Sequence, residues 1–549
     1  MMITNIYVIT GIAVIGGSLF GFDLSSMSAI CYFNQGPNGP PFNSAIHCSG
    51  PSSTLQGGIT ASMSGGSFIG ALVSGFVTDI FGRKSAIQMG SVIWIIGSTI
   101  CSASQNVTML IVGRFINGFC VGICSAQVPV YVGELAPPHL RGLVMGAQQW
   151  AITWGVLIMF YISYGSSFLT GPVAFRLPWG LQMIPAIFLF FGLLFTPESP
   201  RWLAKKDRWE ECCHIISSIH SNNNLDDEFI QMEIQQLKDA CELERHKTDN
   251  TYFDLFRPHM IWRTHIVVFV QIWCQLTGIN AILYYITYIF GMAGLSGSSN
   301  LVASSISCVI NVVMTVPALL FMDRVGRRPL LIGGSISLTI WWSVCAGLMG
   351  GYGAPAPPGG LDHIAEQSWL ITGAPAKVVI ACSYLIVASF APTWGPIEWV
   401  YPSELFPLRL RGKAAALSTA SNWAFNFALS YFIPPAFVNI SWKTYIIFAV
   451  FAFAMTLHVF FVFPETSGRT LEEVEEAFNG IKLAWRMGED KHQDEGGTLK
   501  HEPGQKELFH NASAIYKLGN ASAKPKHFCT FHQRKAAHTS EECFRNPYN

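Results

Sequence analysis

Asp79-Ile80-Phe81-Gly82-Arg83-Lys84 returns later in the chain as Asp323-Arg324-Val325-Gly326-Arg327-Arg328, each time between long apolar runs. Beyond the first copy, Tyr131-x-x-Glu134 is followed by Arg141-Gly142; beyond the second, Tyr401-x-x-Glu404 is followed by Arg411-Gly412. The offset is constant at 270 residues (401 − 131, 404 − 134, 411 − 141). Pro197-Glu198-Ser199 answers Pro464-Glu465-Thr466 at an offset of 267 (464 − 197). Charges doubled at equivalent helix ends describe two homologous halves, and in a membrane chain two such halves point to a transporter.

Composition agrees. Of the 549 residues, 50% are hydrophobic and only 12% charged, against about a quarter charged in ordinary soluble domains. A bilayer-crossing helix takes about 20 apolar residues. Apolar runs of that order fall at about 6–31, 55–78, 85–105, 107–131, 143–166, 178–196, 263–290, 301–322, 329–350, 376–400, 412–436 and 442–463. The expected fold is an all-α integral membrane protein of twelve transmembrane helices in two pseudo-symmetric bundles. Residues 1–196 form the first bundle, 197–262 a cytoplasmic linker with short amphipathic helices, 263–463 the second bundle, and 464–549 a largely disordered tail.

Net charge is zero, so no global field argues for nucleic acid. The distribution of charge is more informative. Arg83, Lys84, Arg141, Arg201, Arg327, Arg328, Arg411 and Lys413 fall in alternate connections, whereas 32–54, 291–300 and 351–375 contain no Lys or Arg. The positive-inside rule makes the basic connections cytoplasmic, and an even helix count puts both termini there. The first apolar run, which begins beside Met1 without a charged leader, is expected to be a retained span. Cys31 and Cys48 flank the first outer loop and are candidates for pairing in an oxidising space.

Ionisable groups within a span cost about 2.5–3.5 kcal/mol each on insertion scales, so each needs a reason. Asp23 lies in the first apolar run and Arg114 in the fourth. In a bundle they would pair, either as a static structural ion pair or as a proton site. Burial and a neighbouring guanidinium pull a carboxyl's proton affinity in opposite directions, so a motion of Arg114 would switch the balance. The other polar groups in the helices are mostly amides: Gln149, Gln182, Gln275, Asn280, Asn311, Asn422 and Asn426. An amide both donates and accepts without net charge, which suits a neutral polyhydroxylated ligand. Tyr284, Tyr285, Trp399 and Trp423 can cover the apolar face of a sugar ring. Any single amide is more often helix–helix glue; it is the set that favours a binding site.

Basic residues alone would set topology. The matched acids Asp79, Glu134, Glu198, Asp323, Glu404 and Glu465 beside Arg83, Arg141, Arg327 and Arg411 suggest salt bridges that latch the cytoplasmic side and break as the halves rock. No phosphate loop of the Gly-x-x-x-x-Gly-Lys-Ser/Thr type occurs, no catalytic constellation is visible, and neither cofactor nor metal is expected. The tail residues His527, Cys529, His532, His538 and Cys543 match no common zinc spacing.

At these residues the chain resembles the sugar porters of the major facilitator superfamily. The resemblance covers about residues 6–480. It rests on Gly75-x-x-x-Asp79-x-x-Gly82-Arg83-Lys84, Gly113-Arg114, Pro197-Glu198-Ser199-Pro200-Arg201-Trp202, Gln275-Leu-Thr-Gly-Ile-Asn280, Gly395-Pro-Ile-Glu-Trp399 and Pro464-Glu465-Thr466. Cys31-Tyr-Phe-Asn-Gln-Gly36 and Gly291-Met-Ala-Gly-Leu-Ser-Gly297 are similar, more narrowly, to fungal high-affinity monosaccharide transporters. The resemblance implies a plasma-membrane carrier with monosaccharide and protons as partners. It implies sugar contacts at Gln149, Gln275, Asn280, Asn311, Trp399, Trp423 and Asn426, and proton coupling at Asp23 with Arg114. The chain departs from the family in three places. Cys274 replaces the first of two adjacent glutamines, Ile80 stands where Lys or Arg is common, and the chain between Ile30 and the first outer loop is shorter than usual. The expected function is uptake of monosaccharides, with glucose as the first candidate, by proton symport and alternating access. An uncoupled facilitator and a non-transporting sugar sensor are the alternatives.

Overall fold

Eleven helical stretches among the described residues are long and apolar enough to cross a bilayer. In the first half they are Ile6–Asp23, Thr54–Phe81, Arg83–Ser102, Val107–Leu135, Arg141–Ser166 and Val173–Leu194. In the second they are Ile261–Met292, Gly297–Val325, Arg327–Tyr352, Gly373–Glu404 and Lys443–Val462. The twelfth expected run, 412–436, lies within the helix Leu408–Asn439. At 32 residues that helix is amply long, but Asn422, Asn426, Pro434 and Pro435 dilute its apolar character. It is counted below as the eleventh span in chain order, and Lys443–Val462 as the twelfth. Its amides are buried, so its polarity faces protein rather than lipid.

The computed structural model describes residues 3–24, 53–137, 140–169, 171–221, 224–245, 251–358, 360–361, 364, 366–406 and 408–466. The outer end of the first helix beyond Leu24, Cys31, Cys48, the short helix expected over 471–478 and the His/Cys-containing tail lie outside the described residues.

Local chemistry sets the helix ends. Asn106 caps the fourth span, its side chain accepting from the Met109 N–H at 2.8 Å. Gly82 and Gly326 separate the second span from the third and the eighth from the ninth, at φ +94° and +95°. That left-handed region favours glycine, so each continuous apolar stretch turns sharply at the doubled motif. The tenth span breaks between Phe390 and Trp394, at Pro392, which has no N–H to give the helix ladder. The seventh breaks between Leu276 and Ile279 at Gly278, directly between Gln275 and Asn280.

Gly66-x-x-x-Gly70 of the second span and Gly118-x-x-x-Gly122 of the fourth are small-residue faces that pack on one another. A Cβ on Gly66 would stand 2.0 Å from the Phe115 carbonyl, and one on Gly118 2.0 Å from the Met63 carbonyl. Only hydrogen lets the second and fourth spans come so close.

The linker holds short helices at Pro200–Lys205, Trp209–His220 and Glu228–Arg245. The expected apolar stripes point inward: Ile215, Ile216, Ile230, Ile234 and Leu237 are buried. A 3-10 turn at Tyr252–Phe256 ties the linker to the second span through the Tyr252 hydroxyl, which donates to the Leu72 carbonyl at 2.8 Å. One element had no signal in the sequence: Ala354–Pro355 pairs antiparallel with Trp369–Leu370 in a connection between spans.

Candidate transport site and cytoplasmic latch

Asp23 and Arg114 meet at 2.8 Å, with side chains 0% and 1% exposed. The Arg114 guanidinium also lies over the Trp179 ring, 5.5 Å from its centroid, on the sixth span. Removing one member of such a buried pair leaves the other uncompensated in a dry bundle.

A cavity lies between the halves, lined from the first half by Phe20, Gln149, Ile152 and Val156. The second half contributes Cys274, Gln275, Asn280, Asn311, Glu398, Trp399 and Asn422 among others. Its free volume of about 30 Å³ has room for a water or two. The halves must part to admit a sugar ring. Across the cavity the Trp399 indole N–H donates to Gln149 Oε1 at 3.0 Å, joining the fifth and tenth spans.

The amides form one connected chain. Gln271 Nε2 donates to the Glu398 main-chain carbonyl at 2.8 Å, which turns Gln271 Oε1 toward Asn422 Nδ2 at 2.5 Å. Asn422 Nδ2 also donates to Glu398 Oε2 at 3.0 Å. The Asn422 oxygen accepts from Gln275 Nε2 at 2.9 Å. Gln275 Oε1 then accepts from Asn280 Nδ2 at 2.5 Å and from Asn426 Nδ2 at 3.1 Å. The first acceptor is a backbone carbonyl, which cannot donate, so the orientation of every later amide follows from it.

Of the residues expected to contact sugar, Gln149, Gln275, Asn280, Asn311 and Trp399 line the cavity, whereas Asn426 and Trp423 stand behind it. Asn426 accepts from Ser64 Oγ at 2.5 Å, and the Trp423 indole donates to Ser125 Oγ at 3.1 Å while meeting Phe20 edge-on. Both therefore join the halves. Sequence reasoning passed over Glu398, although it sits inside the quoted Gly395–Trp399 motif and is an ionisable group within a span, the same signal that singled out Asp23. It also gave Asn422 and Gln271 no central role, because their importance comes from who their neighbours are.

At one end of the bundle the doubled motifs build two matching corners. In the first, Arg83 pairs with Glu134 at 3.2 Å, Ser199 Oγ donates to Glu134, and the Tyr131 hydroxyl donates to the Pro197 carbonyl at 2.6 Å. In the second, Arg327 pairs with Glu404 at 2.7 Å, Thr466 Oγ1 donates to Glu404 at 2.7 Å, and Tyr401 donates to the Pro464 carbonyl at 2.7 Å. Glu198 and Glu465 also bond the main chain. Glu198 accepts from the main-chain N–H of Arg83 and Lys84 at 3.0 and 3.1 Å; Glu465 accepts from those of Arg327 and Arg328, both at 3.0 Å. Each carboxylate caps a span whose first N–H groups have no helical partner. A Cβ on Gly82 would fall 2.4 Å from Glu198, and one on Gly326 2.6 Å from Glu465.

Between the halves, Asp79 pairs with Lys413 at 2.9 Å, and also with Lys205 of the linker at 3.2 Å. Arg141 of the first half lies in the field of Glu404 of the second, and Glu134 in that of Arg411. Among the described residues Arg141 makes no direct ion pair. Arg411 donates to the Phe406 carbonyl at 3.4 Å.

Comparison with known proteins gives the geometry its context. The sugar (and other) transporter family matches residues 9–478. A high-affinity glucose transporter of Kluyveromyces lactis is 47% identical over 484 residues, 88% of this chain and 86% of that protein. High-affinity glucose transporter 1 of Candida albicans is 46% identical, covering 88% of each chain. The high glucose sensor RGT2 of Saccharomyces cerevisiae is 33% identical over 86% of this chain and 60% of the sensor. Among solved structures, the proton:xylose symporter XylE bound to 6-bromo-6-deoxy-D-glucose superposes with a TM-score of 0.72 at 27% identity, covering 86% of this chain and 99% of that one. With two doubled corners, a central amide-lined cavity and these relatives, the chain belongs to the sugar transporter family of the major facilitator superfamily and is a multi-pass membrane transporter, not an enzyme.

Proposed function

We propose that this protein takes up monosaccharides, glucose first among them, across the plasma membrane by proton symport and alternating access, with both termini cytoplasmic. The observation that carries the coupling is the Asp23–Arg114 pair, buried at 2.8 Å and apart from the cavity lining. A proton arriving at Asp23 neutralises one member and frees Arg114; its departure restores the pair. Two arrangements of one ion pair supply the bistable element that links proton to sugar. Gln149, Gln275, Asn280, Asn311 and Trp399 contact the sugar, with Asn426 and Trp423 supporting them from behind. Asp79, Glu134, Glu198, Asp323, Glu404, Glu465 and their basic partners hold the cytoplasmic side closed until the halves rock.

Competition for labelled glucose uptake by a panel of sugars, with and without a protonophore, tests substrate and coupling together. Asp23→Asn is expected to abolish uphill accumulation and leave sugar counterflow in place. Unchanged accumulation would sink the coupling role. Similarity to a glucose sensor favours a second reading, in which sugar binding signals without transport. Labelled-sugar uptake by the purified protein in liposomes excludes it.

A further inference from the structure

We infer that His265 and His458 form a proton-sensitive clasp between the seventh and twelfth spans, which opens in acid and lowers the affinity for sugar. His265 lies one turn inside the start of the seventh span at Ile261, and His458 one turn inside the end of the twelfth at Val462. Both rings are part-buried, on the side of the bundle that carries the doubled corners. Their Nε2 atoms stand 3.0 Å apart, and the Trp273 indole N–H donates to His458 Nδ1 at 2.6 Å.

That last bond fixes the protons. An indole nitrogen only donates, so His458 keeps a lone pair on Nδ1 and its hydrogen on Nε2. His265 Nε2 must then accept, which leaves the hydrogen of His265 on Nδ1. A proton added to His265 sets two donors face to face; one added to His458 opposes the indole N–H. Either way a bond is lost. A charged His265 still has a favourable neighbour, because Trp262 is stacked on it at 5.6 Å and an indole face attracts a cation. The clasp thus has two arrangements, closed with neutral rings and open with His265 held on Trp262. The geometry suits a proton rather than a metal ion, since ligation at His458 Nε2 would push a hydrogen onto Nδ1, against the indole.

Among the described residues the two rings are each other's only titratable neighbour. Charged groups on the elements packed around them are engaged elsewhere. Arg263 of the seventh span donates to the Leu405 carbonyl, and Arg328 of the ninth to the Phe460 carbonyl. On the tenth, Glu398 bonds Asn422 and Glu404 pairs with Arg327. On the eleventh, Lys413 pairs with Asp79 and Arg411 bonds the Phe406 carbonyl. Asp254 of the 3-10 turn pairs with Arg257, and Glu465 accepts from the N–H groups of Arg327 and Arg328.

The clasp reaches the cavity through the helix it holds. Ile261–Leu276 is unbroken, and His265 stands six residues (271 − 265), about 9 Å, from Gln271, which orients the amide chain. On the proton-symport reading, on which this role rests, each cycle delivers a proton to this side, so the clasp acts as a brake set by the product.

The test is labelled-glucose binding to the purified full chain at about pH 7.5 and pH 5.5, either side of the ordinary histidine value. The wild type is expected to bind about fivefold more weakly in acid, the worth of one hydrogen bond. His265→Gln with His458→Gln cannot titrate but still donates and accepts, and should hold its affinity nearly level. His458→Leu should bind at the higher pH as weakly as the wild type does in acid. No fall in the wild type, or an equal fall in the glutamine variant, overturns the inference. If the variants fail to fold, hydrogen exchange in the wild type decides: corrected for intrinsic chemistry, Ile261–Leu276 should exchange faster in acid, and unchanged protection overturns the clasp. Absence of glucose binding by the wild type at both pH values overturns the sugar-transport reading instead, and exchange then still decides the clasp.

Discussion

The two corners built by the doubled motifs repeat nearly every bond, yet they are not equally dry. The Glu134 carboxylate is 2% exposed beneath the linker helices, whereas Glu404 is 20% exposed. Their aspartates diverge further. Asp79 pairs with Lys413 of the other half, while Asp323 pairs with Arg327 of its own motif at 2.8 Å, is 46% exposed and meets the other half by packing its carboxylate against Gly142. Repetition therefore builds the frame of each half. The departure from repetition adds an ion pair between the halves to the hydrogen bonds that Gln149, Ser64 and Ser125 make across them.

The sharpest way to break this comparison is to remove the paired acids one at a time. Glu134→Ala leaves Arg83 buried without its partner and is expected to cost about 3–5 kcal/mol. Glu404→Ala, at a wetter corner, should cost about 1 kcal/mol or less. Thermal unfolding of the purified protein in detergent separates the two, and equal losses would refute the asymmetry. Next in size is the crossing pair. Asp79→Asn should shift the conformational equilibrium toward the inward-open state by about 1 kcal/mol, roughly fivefold in population. Asp323→Asn should shift it far less. Accessibility of a cysteine introduced on the cavity side of the latch to a cytoplasmic thiol reagent reads both.

The smallest effect sharpens the comparison rather than breaking it. His220 of the linker bonds Glu233 at 2.9 Å through Nδ1 and the Leu135 carbonyl at 3.1 Å through Nε2, so it braces the first corner. Two acceptors require both ring nitrogens to carry protons. Burial pushes this histidine down, but the hydrogen bond and charge of Glu233 outweigh it and hold the ring above its ordinary value. The stabilisation is therefore complete below the unfolded value of about 6.5 and fades as pH rises through the higher folded one. Hydrogen exchange over Trp209–His220 should accelerate between pH 6 and pH 8.5, and His220→Gln should remove most of that pH dependence.

Much of the fold was legible because its signals are periodic or costly. Apolar length marks spans, Pro392 marks a break, and charges at doubled positions mark helix ends, whatever the rest of the chain does. Asp23 and Arg114 were legible as a pair for the same reason: two isolated charges in lipid-length helices have few ways to be tolerated. The eleventh span was expected to be as apolar as the others, and its amides show why it is not. It supplies Asn422 and Asn426 to the polar interior, so its sequence reads as less membranous than its position.

Glu198 and Glu465 show the limit most clearly. Their sequence context announced charge partners, but not that the backbone turned at Gly82 and Gly326 presents two unsatisfied N–H groups to each carboxylate. Likewise nothing in the order of residues says that Lys413, 334 positions away (413 − 79), would meet Asp79, or that Gln271 would orient an amide chain through Asn422 to Asn280. By itself the sequence determined two halves, the place of most apolar spans, and which groups are too costly to bury alone, because the price of desolvation is a property of each residue. Only the tertiary structure decided which partner meets each of those groups, because hydrogen bonds and ion pairs act over about 3 Å and that proximity is set by packing rather than by order along the chain.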